Sequence, residues 1–314
     1  MTHAQETGYA SASYAASLAE FGRPVELPQS GGWLLSRDIP NSLYRDAKGC
    51  YPLFVCRDPK GLDDDLRSLA GQLVSVTLVA DPFMEASPEQ LANLFPDKMA
   101  AFKTHYLLDL DIPHEKVIHK STIKLAKEAQ KAVTIEICTH PLDYLDDWVR
   151  LYDCLIQRHN LKGIHCFSRQ SFAVQMQTPG FVMLRAAYCG QTVGIFSWYL
   201  YQDRAYAHLL ALSQDGYRLR ASYALYWESI RYFIGKVRWL NLGGAAGCED
   251  SATDGLARFK RQWASGERMV YLCGRILQPE VYHRLCQQLG AAPNTNYFPA
   301  YRAGEFQKSA RTGS

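Results

Sequence analysis

Three apolar runs in close succession constrain this chain more than any other feature. FVMLRAAYC (181–189), TVGIFSWYLY (192–201) and AYAHLLALS (205–213) are rich in β-branched and aromatic residues, as strands are. Gly190-Gln191 joins the first pair and Gln202-Asp203-Arg204 the second. Links this short cannot cross a sheet, so the runs must be consecutive antiparallel neighbours. Around the meander the pattern changes period. Helices are expected at 141–159, at 168–177 with Ser168 as its cap, and at 219–234. A strand at 238–242, the turn Gly243-Gly244, a helix at 254–264 and a strand at 268–277 follow. Helix, meander, helix, strand, helix, strand predicts a mixed α+β unit rather than a doubly wound parallel one.

The first half repeats the rhythm more weakly. Strands are expected at 32–39, 51–57, 72–81, 106–111 and 133–138, and helices at 87–95 and 114–133. Ser87 before Pro88 marks the start of the first of these helices. The opening residues are Ala/Ser-rich and then carry Pro24, Pro28 and Gly31-Gly32, so 1–30 reads as a loosely ordered lead-in. A length of 314 residues suggests two domains. The expected divisions are the lead-in, a domain at 31–138, a second at 139–275, and a C-terminal helix and tail at 276–314.

Composition excludes several classes. No window supplies the apolar stretch that a membrane span needs, and the N-terminus lacks a basic-then-apolar export pattern, so a cytoplasmic location is expected. The nine cysteines are odd in number and contain no Cys-x-x-Cys pair, which argues for reduced thiols. His159 and His165-Cys166 lack a matching second pair, so no metal is expected. A formal charge of +3 permits a polyanionic partner without demanding one.

Some residues stand out chemically. On a helical wheel with Leu256 at zero, Trp263 falls about 20° and Phe259 about 60° to one side, which makes an apolar stripe. Arg258 and Arg261 point away from it, whereas Lys260 lies about 40° from Leu256, on the margin of the apolar face. Such a lysine either snorkels its ammonium to water or aims a fixed cation into a cleft. Asn241-Leu-Gly243-Gly244 ends a strand, and its glycines admit close approach of a backbone or a substrate. Arg169 is either a surface cation or an anion clamp, and His208 either a general base at the sheet centre or a satisfied core histidine. Lys116, Lys120, Lys124, Lys127 and Lys131 fall along one face of the 114–133 helix, as a solvated face or a phosphate-tracking ridge.

Order and spacing then matter more than any single motif. Phe167-Ser-Arg169, AYAHLLALS, Arg218-x4-Tyr223-Ala-Leu-Tyr-Trp-Glu228, Asn241-Leu-Gly-Gly244 and Asp254-Gly-Leu-x-x-Phe259-Lys260-x-x-Trp263 occur in this sequence. So laid out, residues 103–274 resemble the Fem-type branch of the GNAT acyltransferase superfamily. The resemblance implies two tandem GNAT-like folds, with mixed, largely antiparallel sheets flanked by helices and a substrate channel between them. It also implies that Lys260, beside Phe259, acts in acyl transfer. The chain departs from the pattern in three places. Trp263 stands where Phe is usual, Asn241 where Asp is common, and lysines at 116–131 where arginines are frequent.

Two donors remain open at this level. Coenzyme A users of the superfamily cradle pyrophosphate on a loop of small residues at a helix N-terminus. Here SQDGYRLRASYAL (213–225) places Ala221 where Gly and Tyr223 where Gly or Ala is required, or in the other frame Tyr217 where Gly and Leu219 where a small residue is required. This favours aminoacyl-tRNA as cosubstrate, with no cofactor and acyl-CoA as the alternative. The expected reaction is aminolysis of an activated ester by a small-molecule or peptide amine. Lys260 would stabilise the oxyanion, His208 is the candidate base, and Arg169, Tyr223, Asn241, Gly243, Gly244 and Trp263 would position substrates. The lysine face, Arg218 and Arg220 would meet tRNA phosphates. A non-catalytic RNA- or protein-binding module is the third reading.

Overall fold

The computed structural model describes residues 6–160, 163, 166–245, 255–292 and 295–305. They fall into two compact units. One gathers the described residues of Met1–Ser17, Lys103–Leu161 and Cys166–Met269, the other those of Leu18–Phe102, Lys162–His165 and Val270–Ser314.

The second unit is built on β1 (Arg23–Leu27), β2 (Gly32–Asp38), β3 (Arg45–Gly49), β4 (Ser75–Val79) and β11 (Gly266–Ile276), side by side in that order. β3 and β4 are parallel and the other pairs antiparallel. Helices Leu62–Ser68 and Pro88–Leu94 contribute Leu62, Leu66 and Leu91 to its core with Leu34, Val76 and Leu78. Ser87 caps the latter helix as expected, its hydroxyl accepting from the Gln90 N–H. A smaller cluster of Ile39, Val74, Tyr282, Leu285 and Tyr301 seats the helix Pro279–Gln288 and the turn Ala300–Arg302.

The first unit carries the meander. Its strands are β5 (Lys98–Asp109, in this unit from Lys103), β10 (Trp239–Asn241), β9 (Arg204–Leu212), β8 (Gln191–Tyr201), β7 (Phe181–Tyr188) and β6 (Thr134–Ile137), in that spatial order, and β11 belongs to the second unit from Val270. β6 to β9 are antiparallel, whereas β10 runs parallel to β9 and antiparallel to β5. The fold is therefore mixed α+β with largely antiparallel sheets flanked by helices. Cys189 and Gly190, both at positive φ, make the β7–β8 turn. Strand alternation sends Leu184, Phe196, Trp198 and Leu240 to one face. There they meet Ala126 and Ala129 of the helix Lys120–Ala132 and Leu225 and Tyr226 of the helix Ala221–Phe233.

Several expectations are corrected. The described part of the lead-in, from residue 6, is ordered: a helical turn Gly8–Ala10, the helix Ala12–Ser17 and β1 occupy it. Tyr9 and Tyr14 are buried against Tyr199, and burying two large rings outweighs the entropy of fixing a short segment. Gly8 is needed there, because at φ +58° its absent Cβ would stand 2.7 Å from the Leu200 carbonyl. The boundary expected at 138/139 falls inside the first unit, since β6 pairs with β7 and the 120–132 helix packs on the 221–233 helix. The 30/31 boundary divides the paired strands β1 and β2, and residues 276–305 pack into the second unit. Residues 51–57 form no strand beyond one bridge, Phe54 to Ala80. Instead β1 and β3 appear, whose polar sequences RPVEL and RDAKG gave no strand signal. The 114–133 helix is broken into His114–Val117 and Lys120–Ala132, because the extended His119 caps the second segment.

Candidate active site

The site is built where β10 ends. β10 pairs through Asn241 with Leu107 of β5 on one side and Tyr206 of β9 on the other. The chain then turns at Gly243, whose φ of +77° lies in the left-handed region that glycine enters without strain. The Leu242 N–H donates to the Tyr106 carbonyl at 2.9 Å, and the Gly243 carbonyl accepts from the Tyr106 N–H at 3.2 Å. These bonds fix the turn to β5.

Asn241 organises the inside of this turn. Its side chain is buried, and Oδ1 accepts from the Gly243 N–H at 2.9 Å and lies 3.0 Å from Nδ1 of the buried His105. A backbone N–H can only donate, so the amide oxygen must be the atom facing Gly243. The NH2 group is thereby turned away, and Nδ2 is buried with no hydrogen-bond partner among the described residues.

Lys260 closes the turn from the other side. It lies on the helix Gly255–Arg261, and its ammonium donates to the Gly244 carbonyl at 2.7 Å. Nζ stands 3.0 Å from the point that a Cβ on Gly243 would occupy, so the missing side chain makes room for the cation. Lys103 reaches the same segment through the Ala245 carbonyl at 3.4 Å. A charge-assisted bond of this kind is worth about 1.5–3 kcal/mol. Lys260 is therefore a fixed cation rather than a snorkelling one.

An aromatic wall backs the cation. Phe259 meets Tyr223 edge-on at 5.0 Å and Tyr226 at 4.9 Å, and Trp263 stacks on Tyr226 at 5.7 Å. Trp263 is fully buried, and its Nε1 also has no partner among the described residues. The wheel expectation is corrected for Leu256, which is 39% exposed, while Ala257 is buried. The helix ends at Arg261, and the Trp263 N–H bonds to the Lys260 carbonyl as a tight turn. Trp263 therefore does not follow the helical angle. Residues 246–254 lie outside the described residues.

The other expected residues lie in different surroundings. His208 of β9 is half-buried among Tyr9, Tyr14, Tyr199 and Phe167. Nδ1 faces the Tyr9 hydroxyl at 3.0 Å and Nε2 faces Oε1 of Gln175 at 3.1 Å. Since Oε1 only accepts, Nε2 carries the proton and Nδ1 accepts from Tyr9. Burial pushes the imidazole down to about 3. Both ring nitrogens are engaged, which is the satisfied core histidine rather than a poised base. Arg169 opens the helix Arg169–Gln177 that Ser168 caps, and its guanidinium pairs with Asp146 at 2.7 Å on the surface. It clamps that carboxylate instead of standing ready for an anion.

Lys120, Lys124, Lys127 and Lys131 are exposed along one face of their helix, opposite the buried Thr122, Ala126 and Ala129. Lys116 is exposed too, but on the separate turn His114–Val117. Lys131 pairs with Glu128 at 2.9 Å. Arg218 is exposed and paired with Asp215 at 2.9 Å, and Arg220 is exposed at φ 55°. Tyr223 does not stand open to a phosphate: its N–H bonds to the Arg220 carbonyl at 3.0 Å and its ring joins the aromatic wall. The short helix Gln214–Arg218 occupies the chain between β9 and the 221–233 helix.

His105 and Lys103 were absent from the sequence-based candidates. Nothing within KTHYLLD marks them; they become visible only once the register sets Asn241 opposite Leu107.

No family model matches the chain, and no curated protein matches it. Solved structures do. FemX superposes with a TM-score of 0.66 at 12% identity, over 87% of this chain and 93% of that one. The chain has the fold of FemX. A C-terminal domain from Agrobacterium fabrum, assigned to a lysylphosphatidylglycerol synthetase, shares this Fem-like fold with a TM-score of 0.61 at 14% identity, over 90% and 93% of the two chains. L-PGS from Bacillus licheniformis gives 0.56 at 14% identity, over 88% and 94%. Among the described residues no helix is long and apolar enough to cross a membrane, and no three His, Cys, Asp or Glu gather as a metal-holding group.

Proposed function

We propose that this chain is an acyltransferase that passes an aminoacyl group from aminoacyl-tRNA to an amine acceptor. The observation that carries the reading is the Lys260 ammonium, held on the Gly244 carbonyl at a turn whose glycine leaves space beside the charge. A cation fixed in advance stabilises charge that develops in a reaction without reorganising at that moment. In the proposed step the acceptor nitrogen attacks the ester carbonyl carbon and a C–N bond forms. The carbonyl electron pair collects on oxygen, beside Lys260. Collapse breaks the C–O bond to the ribose, whose oxygen takes up the proton that the amine loses.

Two features support tRNA as the donor. Exposed lysines line the outer face of the Lys120–Ala132 helix, as phosphate contacts require. The segment after β9 carries Tyr217, Leu219 and Tyr223 with the helix Gln214–Arg218, in place of a loop of small residues open to pyrophosphate. The Fem-like fold also occurs in the domain assigned to lysylphosphatidylglycerol synthetase, a name that describes attachment of a lysyl group.

The test is parallel titration with aminoacyl-tRNA and acetyl-CoA. Binding of the former with the latter ignored supports the reading, and acetyl-CoA binding without tRNA binding replaces the donor. RNA binding with no product from any donor would indicate an idle binding module. Lys260→Ala is expected to lower turnover by about 100-fold or more, in line with the removal of one oxyanion donor. Turnover retained within a few-fold would remove Lys260 from the mechanism.

A further inference from the structure

The amide of Asn241 holds a buried polar atom, its nitrogen, that lacks a hydrogen-bond partner among the described residues. Its residue is only 2% exposed. Its oxygen is committed twice, to the Gly243 N–H and toward His105 Nδ1, which fixes the orientation of the amide. Its nitrogen, buried, donates to nothing among the described residues. Leaving such a donor unsatisfied is costly, so native structures seldom keep one without a reason. This donor belongs to the same four-residue turn on which Lys260 closes, since the Lys260 ammonium contacts Gly244 and abuts Gly243.

We infer that Asn241 Nδ2 donates a hydrogen bond to the carbonyl oxygen of the bound acyl group and so distinguishes an acylated carrier from a free one. The inference rests on the acyl-transfer reading above. It adds a chemical selection to that reading. An NH2 whose sister oxygen is already committed has only donors to offer, so the group that satisfies it must be an acceptor, as an ester or thioester carbonyl is. Ammonium groups are rejected at this point. An aspartate here would invert the preference, because a carboxylate accepts and does not donate. His105 acts as a positioning residue: its bond to Oδ1 helps hold the amide so that Nδ2 points away from the turn.

The test compares binding of bulk aminoacyl-tRNA with the same tRNA after deacylation, and of acetyl-CoA with coenzyme A, to wild type and to Asn241→Asp. That substitution keeps the shape and the acceptor toward Gly243 while removing the donor. Wild type is expected to prefer one acylated carrier over its free form by about 10-fold, one hydrogen bond's worth. N241D is expected to lose that preference. As pH falls and the carboxyl protonates, its O–H can donate and the preference should return. Asn241→Ser, which introduces no buried charge, serves as the second variant if N241D does not melt like wild type. A variant that folds and keeps the preference overturns the role of Asn241 while leaving the acyl-transfer reading intact. Wild type that prefers neither acylated carrier overturns both.

Discussion

The Lys260 ammonium lies 2.7 Å from the Gly244 carbonyl oxygen and 3.0 Å from the place of a Cβ on Gly243. Cation and turn therefore define each other's position. Gly243→Ala would strain a backbone held at φ +77° by about 1–3 kcal/mol and press a methyl group on the ammonium. A melting temperature lower by several degrees is expected, with turnover reduced beyond what the lost stability explains. The double variant with Lys260→Ala should cost no more activity than Lys260→Ala alone, because both act through one contact. Strictly additive losses in the cycle would separate the two residues.

The lysine face gives a salt-dependent prediction. Lys120, Lys124 and Lys127 project from one helix face. If they meet tRNA phosphates, Lys124→Glu with Lys127→Glu should weaken tRNA binding and flatten the plot of log affinity against log salt by about 0.7–0.9 per lost contact. An unchanged slope would mean that the face is merely solvated.

His208 gives a pH prediction whose sign follows from its burial. Burial holds the folded imidazole at about 3, below its ordinary 6.5. Above pH 6.5 the ring is neutral in both states and contributes no pH dependence. As pH falls from 6.5 toward 3 the unfolded chain takes up a proton that the folded one refuses, so stability declines through that window and levels off below it. Its ring-proton NMR shifts should stay constant from pH 8 to 5, and His208→Gln should reduce the acid-side loss in urea melts. A midpoint near 6.5 for this ring would show that the cage is open to water.

The second unit is fastened by Arg302, which pairs with the buried Asp46 and donates to the Asp38 carbonyl at 2.8 Å. Removing one partner of a buried pair strands the other charge, at about 3–5 kcal/mol. Arg37, 3.4 Å from Asp46, would soften the loss to the lower part of that range. Arg302→Met should therefore lower the urea midpoint clearly, and Asp46→Asn in the same chain should restore part of it. An unchanged midpoint would exclude Arg302 from the core of this unit.

Short-range patterns determined the meander of the first unit and the capped starts of two helices. The turns between β7, β8 and β9 are too short for any pairing other than neighbours, and the Ser87 and Ser168 caps sit beside the residues whose N–H groups they satisfy. The position of Lys260 was not legible from the helical wheel, because its reference residue Leu256 is exposed and Trp263 lies beyond the helix end; packing set the contact with Gly244. What tertiary structure alone decided involves residues far apart in the chain. Tyr9 finds His208 across 199 positions and Arg302 finds Asp46 across 256, and no local pattern announces either pair. His105 came within reach of Asn241 only through the register of β5 on β10, a relation that a one-residue slip would have abolished. The sequence determined which side chains each strand and helix would offer. Packing decided which of them were left, like the Asn241 amide, with a hydrogen bond still to give.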